Sequence, residues 1–150
     1  MAVADTLDEL QVRLLRGDVQ PPARSRPGDA GIDLRCVEGF ELSSRQRLKV
    51  PTGIAVAFPT SVCGLIVPRS GLAANEGVAP VGGLIDPNFR GEICVTLINF
   101  GADTFTATAG DRIAQLLLLP FWAPALRLVE ALPDSPDGRG MDGWGSSGMA

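Results

Sequence analysis

Apolar residues along this chain recur mostly with a period of two. Leu10, Val12 and Leu14 alternate with polar neighbours, as do Ile93, Val95 and Leu97, and Gly and Pro punctuate the sequence close to each run. That period belongs to strands with one buried face, so the pattern predicts short strands there and over residues 32–37, 48–58, 62–67, 104–107, 113–118 and 126–131. PPARSRPGDAG, the pair Pro51 and Thr52, and DPNFRG read as turns, where proline fixes φ and Gly, Asp and Asn accept tight geometry. Helix is confined to one or two turns between Ser70 and Glu76. DTLDELQVRLL fits two patterns, a helix capped by Asp5 or Thr6 or a strand through Leu10, Val12 and Leu14; the β character downstream ranks the strand first. The chain reads as an all-β barrel or sandwich.

Length and charge narrow the function classes. The 150 residues make one domain with room for a sizeable core. Thirteen Lys and Arg against seventeen Asp and Glu leave a formal charge of -4, so no nucleic-acid polymer is attracted generally and an anionic ligand has to be bound locally. With no histidine there is neither a histidine general base nor a His-containing zinc site. Cys36, Cys63 and Cys94 are too scattered for a paired metal motif and read as small buried hydrophobes. MAVADTLDEL carries acids where a secretory signal has bases, and no apolar run approaches a membrane span, so the expected setting is cytoplasmic, with no membrane partner.

Five segments carry more polar chemistry than a sheet needs. In DAGIDL, Asp33 sits among apolar neighbours, so it either faces solvent from a strand edge or is paired or hydrogen-bonded. In PRSGLA, Arg69, Ser70 and Gly71 offer an arginine fork, a hydroxyl and turn amides, a cradle for phosphate or merely the end of a strand. GGLIDPNFRGEI holds Asp86 and Phe89 on one turn stiffened by Pro87, a carboxylate for water activation beside a ring for a sugar or base, or an ordinary Asp-capped turn. GDRIAQLLLLP puts Arg112 and Gln115 among strand formers, where a buried amide has to be satisfied. The tail RGMDGWGSSG combines Arg139, Ser146 and Ser147 for oxyanions, glycines including Gly145 for close backbone approach, and Trp144 for stacking on a flat heterocycle.

In this order and over nearly the whole chain, AGIDL, PRSGLA, GGLIDPNFRGEI, GDRIAQLLLLP and RGMDGWGSSG resemble the five motifs of the homotrimeric dUTPase family. The resemblance implies a distorted jelly-roll barrel, over residues 1–132, assembled as a homotrimer with active sites shared between subunits, and a flexible nucleotide-covering arm over residues 133–150. It implies hydrolysis of dUTP to dUMP and pyrophosphate, with Mg²⁺ held mainly by the substrate phosphates. Carried over by motif, Asp86 is the general base for water, and Asp33 assists the metal indirectly, through water. Arg69, Ser70 and Gln115 contact phosphates, the turn carrying Gly83, Leu84 and Ile85 presents backbone to uracil, and Phe89 packs beneath deoxyribose. Trp144 then stacks on the base while Arg139, Ser146 and Ser147 reach the outer phosphates.

The chain departs from the family pattern in three places. Phe89 stands where tyrosine is usual, Trp144 where phenylalanine is usual, and GVAPVGGLID is shorter than the usual connection and lacks its asparagine. The related dCTP deaminases are the alternative enzyme, but their catalytic glutamate corresponds to Thr96 here, and Glu92 lies earlier, in RGEI. A non-catalytic nucleotide-binding, regulatory member of the same fold is the other alternative.

Overall fold

A computed structural model describes residues 9–141 of the chain. Its strands are β1 (Gln11–Leu14), β2 (Ile32–Arg35), β3 (Phe40–Leu42), β4 (Arg47–Ala57), β5 (Val62–Val67), β6 (Val78–Pro80), β7 (Leu84–Ile85), β8 (Glu92–Asn99), β9 (Phe105–Ala107) and β10 (Arg112–Pro120). Two four-stranded sheets, ordered β1-β4-β8-β6 and β2-β10-β5-β7, and a β3-β9 ribbon enclose the core, and every named strand pair is antiparallel. The one helical element among the described residues, Leu72–Glu76, is a wide π turn closed by Gly77, whose φ of 68° lets its N–H reach the Leu72 carbonyl.

The predicted alternation is met most clearly in β8, where Ile93, Val95 and Leu97 point inward and are fully buried. They meet Leu34 of β2 and Ile113 and Leu116 of β10 from the facing sheet, so both sheets close over one apolar interior. Asn99 is buried at the end of β8 and is fully used. Its amide donates to the Leu42 and Asp103 carbonyls, each at 2.8 Å, and its oxygen accepts from the Gly101 N–H at 2.8 Å.

Two expectations are corrected. Pro51 and Thr52 are not a turn but part of an irregularity inside the 11-residue strand β4, whose register against β8 shifts between Pro51 and Ala55. Proline has no N–H to give the ladder, and the defect is stitched to β8 otherwise: Thr52 Oγ1 donates to the Ile93 carbonyl at 2.5 Å and the Gly53 N–H to Glu92 Oε1 at 2.8 Å. Residues 126–131 form no strand. Leu126 and Leu128 are 97% and 99% exposed, because after Pro120 the chain pairs with no strand among the described residues. No helix among the described residues is long and apolar enough to cross a membrane.

Gly53 has a φ of 69°, and a Cβ there would lie 2.5 Å from Val19 Cγ2 and 2.7 Å from Val37 Cγ1. Gly53→Ala therefore combines left-handed strain with overpacking and is expected to destabilise the chain by about 2–4 kcal/mol. Urea unfolding measures this as a lower midpoint at unchanged slope; an unaltered midpoint would show that the bulge relaxes freely.

Candidate active site

The central strand β10 aligns the first cluster. Gln115 is the ladder partner of Asp33 on β2 and of Val67 on β5, which puts an amide and a carboxylate on one rung just before Pro68, Arg69 and Ser70 leave β5. Gly31 makes the close approach possible, since a Cβ there would lie 2.9 Å from the Gln115 amide carbon. The Ser70–Gly71 step then enters the π turn, anchored by the Ala73 N–H donating to the Arg69 carbonyl at 3.0 Å.

Asp33 is paired rather than solvent-facing, with only 4% of its surface exposed. Its Oδ2 accepts from Ser25 Oγ at 2.8 Å and from Arg112 NH1 at 3.2 Å, and the same Arg112 nitrogen donates to Ser25 Oγ at 2.8 Å. Arg69 Nε lies 3.8 Å from Oδ1, and Arg69 NH1 donates to the Arg112 carbonyl at 2.9 Å, so the two arginines are joined as well. Desolvation is the largest single influence on this carboxyl and pushes it up. Hydrogen bonds from Ser25 and Arg112, the Arg112 charge and the Gln115 amide together outweigh it and hold the group below the ordinary carboxylate value. Oδ1, though buried, accepts no hydrogen bond.

The second cluster forms where the chain changes sheets. After β6 has paired with β8, residues 81–83 cross over and β7 pairs with β5 instead, with Leu84 opposite Leu65 and Ile85 opposite Gly64. Gly83 makes the crossing at a φ of 126°, pressed so close that a Cβ would lie 2.9 Å from the Ile66 carbonyl oxygen. The Val81 N–H still donates to the Thr96 carbonyl at 2.8 Å. By the alternation of a strand, Cys94, two residues back, turns its N–H and carbonyl toward the same side, where β6 no longer runs alongside. The split opens into a cleft of about 290 Å³ whose lining includes Gly83, Leu84, Ile85, Asp86 and Phe89 on one side and Lys49, Cys94 and Thr96 on the other.

Asp86 is exposed and begins a tight turn in which its carbonyl accepts from the Phe89 N–H at 3.1 Å. Phe89 folds its half-exposed ring over Gly91, where a Cβ would lie 2.6 Å from the ring. Arg90 closes the turn by donating to the Pro87 and Phe89 carbonyls. An exposed carboxylate and an aromatic face thus stand at the mouth of one cleft.

Within one chain these clusters remain two. The Gln115–Val67 and Ile85–Gly64 rungs are three residues apart on β5, roughly 10 Å at the rise of a strand, with Arg69 following the first rung and Asp86 following the second. Arg139 lies on the irregular segment after Pro120, in a turn where its N–H donates to Asp137 Oδ1 at 3.1 Å. Trp144, Gly145, Ser146 and Ser147 lie outside the described residues.

Sequence reasoning missed Cys94 as a lining residue, and Ser25 and Arg112 as partners of Asp33. Cys94 is half-buried rather than core, and burial, followed by the Glu92 charge, pushes its thiol up, so it enters the cleft as a neutral side chain. Its outward position was legible from the parity of Ile93 and Val95. Ser25 carried no signal, since the contact closes across the PPARSRPGDAG loop.

The family model for dUTPase matches residues 18–148. A curated relative from Mycolicibacterium gilvum (strain PYR-GCK), a deoxyuridine 5'-triphosphate nucleotidohydrolase, is 45% identical over 145 residues, covering 93% of this chain and 94% of its own. Among solved structures, the dUTPase of Staphylococcus bacteriophage 80alpha with dUpNHpp superposes with a TM-score of 0.88 at 28% identity, over 95% of this chain and 99% of that one. A mutant dUTPase from phage phi11 of S. aureus, described with a structural Mg(II) ion, gives 0.78 at 26% identity, over 83% and 99%.

Asp33→Asn removes the charge that both arginines surround and is expected to cost about 1–3 kcal/mol at neutral pH. A carboxyl whose folded pKa lies below its unfolded one, about 3.9, contributes stability that is present above that value and is lost as pH falls through the folded pKa. Urea unfolding of the two proteins should therefore show a gap at pH 7 that narrows below about pH 4. A gap independent of pH would contradict the assignment.

Proposed function

The chain belongs to the dUTPase family, and on that footing we propose that it hydrolyses dUTP to dUMP and pyrophosphate with water activated by Asp86. The observation that carries this reading is the exposed Asp86 carboxylate beside the Phe89 ring at the mouth of a cleft lined on its inner side by Cys94 and Thr96 of β8. A flat pyrimidine entering the split would meet the Cys94 N–H and carbonyl in place of a strand, while the deoxyribose rests on Phe89, leaving a ribose 2'-hydroxyl against the ring. Phe89 needs only its face for this.

Asp86 would take the proton from water as its oxygen attacks the α-phosphorus, and pyrophosphate would leave with the electrons of the broken P–O bond. Arg69, Ser70, Gly71 and Gln115 would receive the phosphates and the charge that grows on the bridging oxygen. Bound Mg²⁺ supplies neutralisation of the triphosphate. Among the described residues no three His, Cys, Asp or Glu side chains gather to hold an ion, which fits an ion carried on the phosphates. The orphaned Asp33 Oδ1 is a suitable acceptor for its water shell.

The separation of the two clusters along β5 favours a homotrimer in which the Asp86 turn of one copy faces the Arg69 and Gln115 rung of another. Exposed apolar side chains at Val12, Leu14, Trp122, Leu126 and Leu128 offer surface for such contacts. In this reading residues 1–132 build the barrels and 133–150 form the arm, closing with Trp144 on the base and Arg139, Ser146 and Ser147 on the outer phosphates. Deamination of dCTP is disfavoured by two features. The Thr96 hydroxyl is no carboxylate, and Glu92 Oε1 is engaged by the Gly53 N–H.

Chromatography of products from dUTP, dCTP, dTTP and UTP is expected to give dUMP from dUTP alone; release of dUTP from dCTP, or no turnover, would defeat the proposal. Asp86→Asn is expected to lower kcat at least about 100-fold with little change in KM, the scale of a lost general base. Sedimentation of the active protein should give three chains per particle, and a fully active monomer would overturn the shared site.

A further inference from the structure

We propose that Ser25 is a positioning residue that locks Asp33 in the orientation presenting Oδ1 to a phosphate-borne cation, a role that rests on the dUTP reading above. A carboxylate on a short side chain has two equivalent oxygens and one soft torsion, so which oxygen faces the ligand depends on what holds the other. Here Oδ2 is held twice, by Ser25 Oγ at 2.8 Å and Arg112 NH1 at 3.2 Å, while Oδ1 is buried and accepts nothing.

The serine is used in both directions. Its hydroxyl donates its one proton to Oδ2 and accepts from Arg112 NH1 at 2.8 Å, so it fixes the arginine fork as well as the acid. Arg112 alone would not choose between the oxygens, because a guanidinium pairs equally well with either and prefers both at once, and Arg69 Nε, 3.8 Å from Oδ1, is an ion-pair neighbour beyond hydrogen-bond reach. Drawn toward a two-pronged grip, Asp33 would give Oδ1 to the arginine; Ser25 occupies the guanidinium nitrogen that is nearest Oδ2 and keeps the grip one-sided.

Ser25 is itself placed by backbone. The Asp33 N–H donates to the Ala23 carbonyl at 2.9 Å, which pins the chain two residues before the serine to the strand carrying the acid. On the far side, Asp29 closes the loop by accepting from the Arg26 N–H at 2.9 Å, and Arg24 Nε donates to the Asp29 carbonyl at 2.8 Å. The loop thus holds one hydroxyl against one carboxylate oxygen, at the rung where Gln115 and Arg69 also converge.

The test compares the unaltered full-length chain with Ser25→Ala and Ser25→Thr, using calorimetric binding of non-hydrolysable dUpNHpp in Mg²⁺ and in EDTA. Near-ultraviolet circular dichroism and urea midpoints establish that each protein is folded. Ser25→Ala is expected to lose about 10-fold of the Mg²⁺-dependent gain in affinity, the lower end of the effect of removing an outer-shell partner of a metal site. Its affinity in EDTA should stay within about twofold, and Ser25→Thr, which keeps the hydroxyl, should recover most of the gain. A full Mg²⁺ gain in Ser25→Ala, or equal weakening in both media, would overturn the role of Ser25 while leaving the dUTP reading intact. Absence of dUpNHpp binding by the unaltered chain would overturn that reading and this inference together.

Discussion

The buried charge of Asp33 is the constraint around which the sheet β2-β10-β5-β7 and its loops are arranged. Moving a carboxylate out of water is expensive unless cations and hydrogen bonds replace the solvent, and here the replacements come from three separate stretches of chain. Ser25 belongs to the loop before β2, Arg112 and Gln115 to β10, and Arg69 to the exit of β5. None of them is adjacent to Asp33 in sequence. Satisfying one acid therefore fixes the register of β2 on β10, the path of the chain leaving β5 and the fold of an otherwise irregular loop. The satisfaction is incomplete at one atom, Oδ1, which is the atom that the proposed reading gives to the water shell of a phosphate-borne ion.

A second consequence follows from the chain's change of sheets between β6 and β7. Strands that diverge cannot keep their ladder, so the carbonyl and N–H at Cys94 face a cleft instead of a neighbour. Backbone groups are fixed to within the rigidity of the strand and need no side-chain entropy to be held, which suits them to reading a flat ring edge-on. This bears on the shortened GVAPVGGLID connection: a missing asparagine removes one side chain, whereas the split between β7 and β8 depends on Gly83 reaching Ile66 and on Val81 meeting Thr96. Those contacts are intact with the shorter loop.

What was legible in the sequence was whatever repeats locally. Alternation at Ile93, Val95 and Leu97 marked β8, and the run at residues 62–67 coincides with β5, because burial of one face imprints itself on neighbouring residues. The strands β3, β6 and β7 are two or three residues long, too short to display a period, and went unread. Pro51 misled as turn punctuation because a bulge tolerates proline as readily as a turn does. Residues 126–131 failed for another reason: alternation records a surface able to pair, while a strand also requires a partner edge, and none among the described residues runs alongside them. Asp33, Arg69 and Gln115 stood out in the sequence by their motifs, and the structure places them side by side, but the bonds that orient them run between loops and strands far apart in sequence.

The division of the polar residues into two clusters constrains how chemistry can be organised on this fold. β5 is a stiff spacer, so Asp86 and Arg69 cannot be drawn together by loop motion without unpairing it from β10 and β7. A carboxylate meant to activate water also works best away from the cations that neutralise phosphate, since an arginine beside Asp86 would stabilise its charge and blunt it as a proton acceptor. In the separate chain the acid and the arginines stand at different rungs of β5. On the proposed reading, bringing them to a common phosphorus would fall to substrate and to contacts between copies, with the triphosphate, rather than Asp86, as the charge the arginines meet.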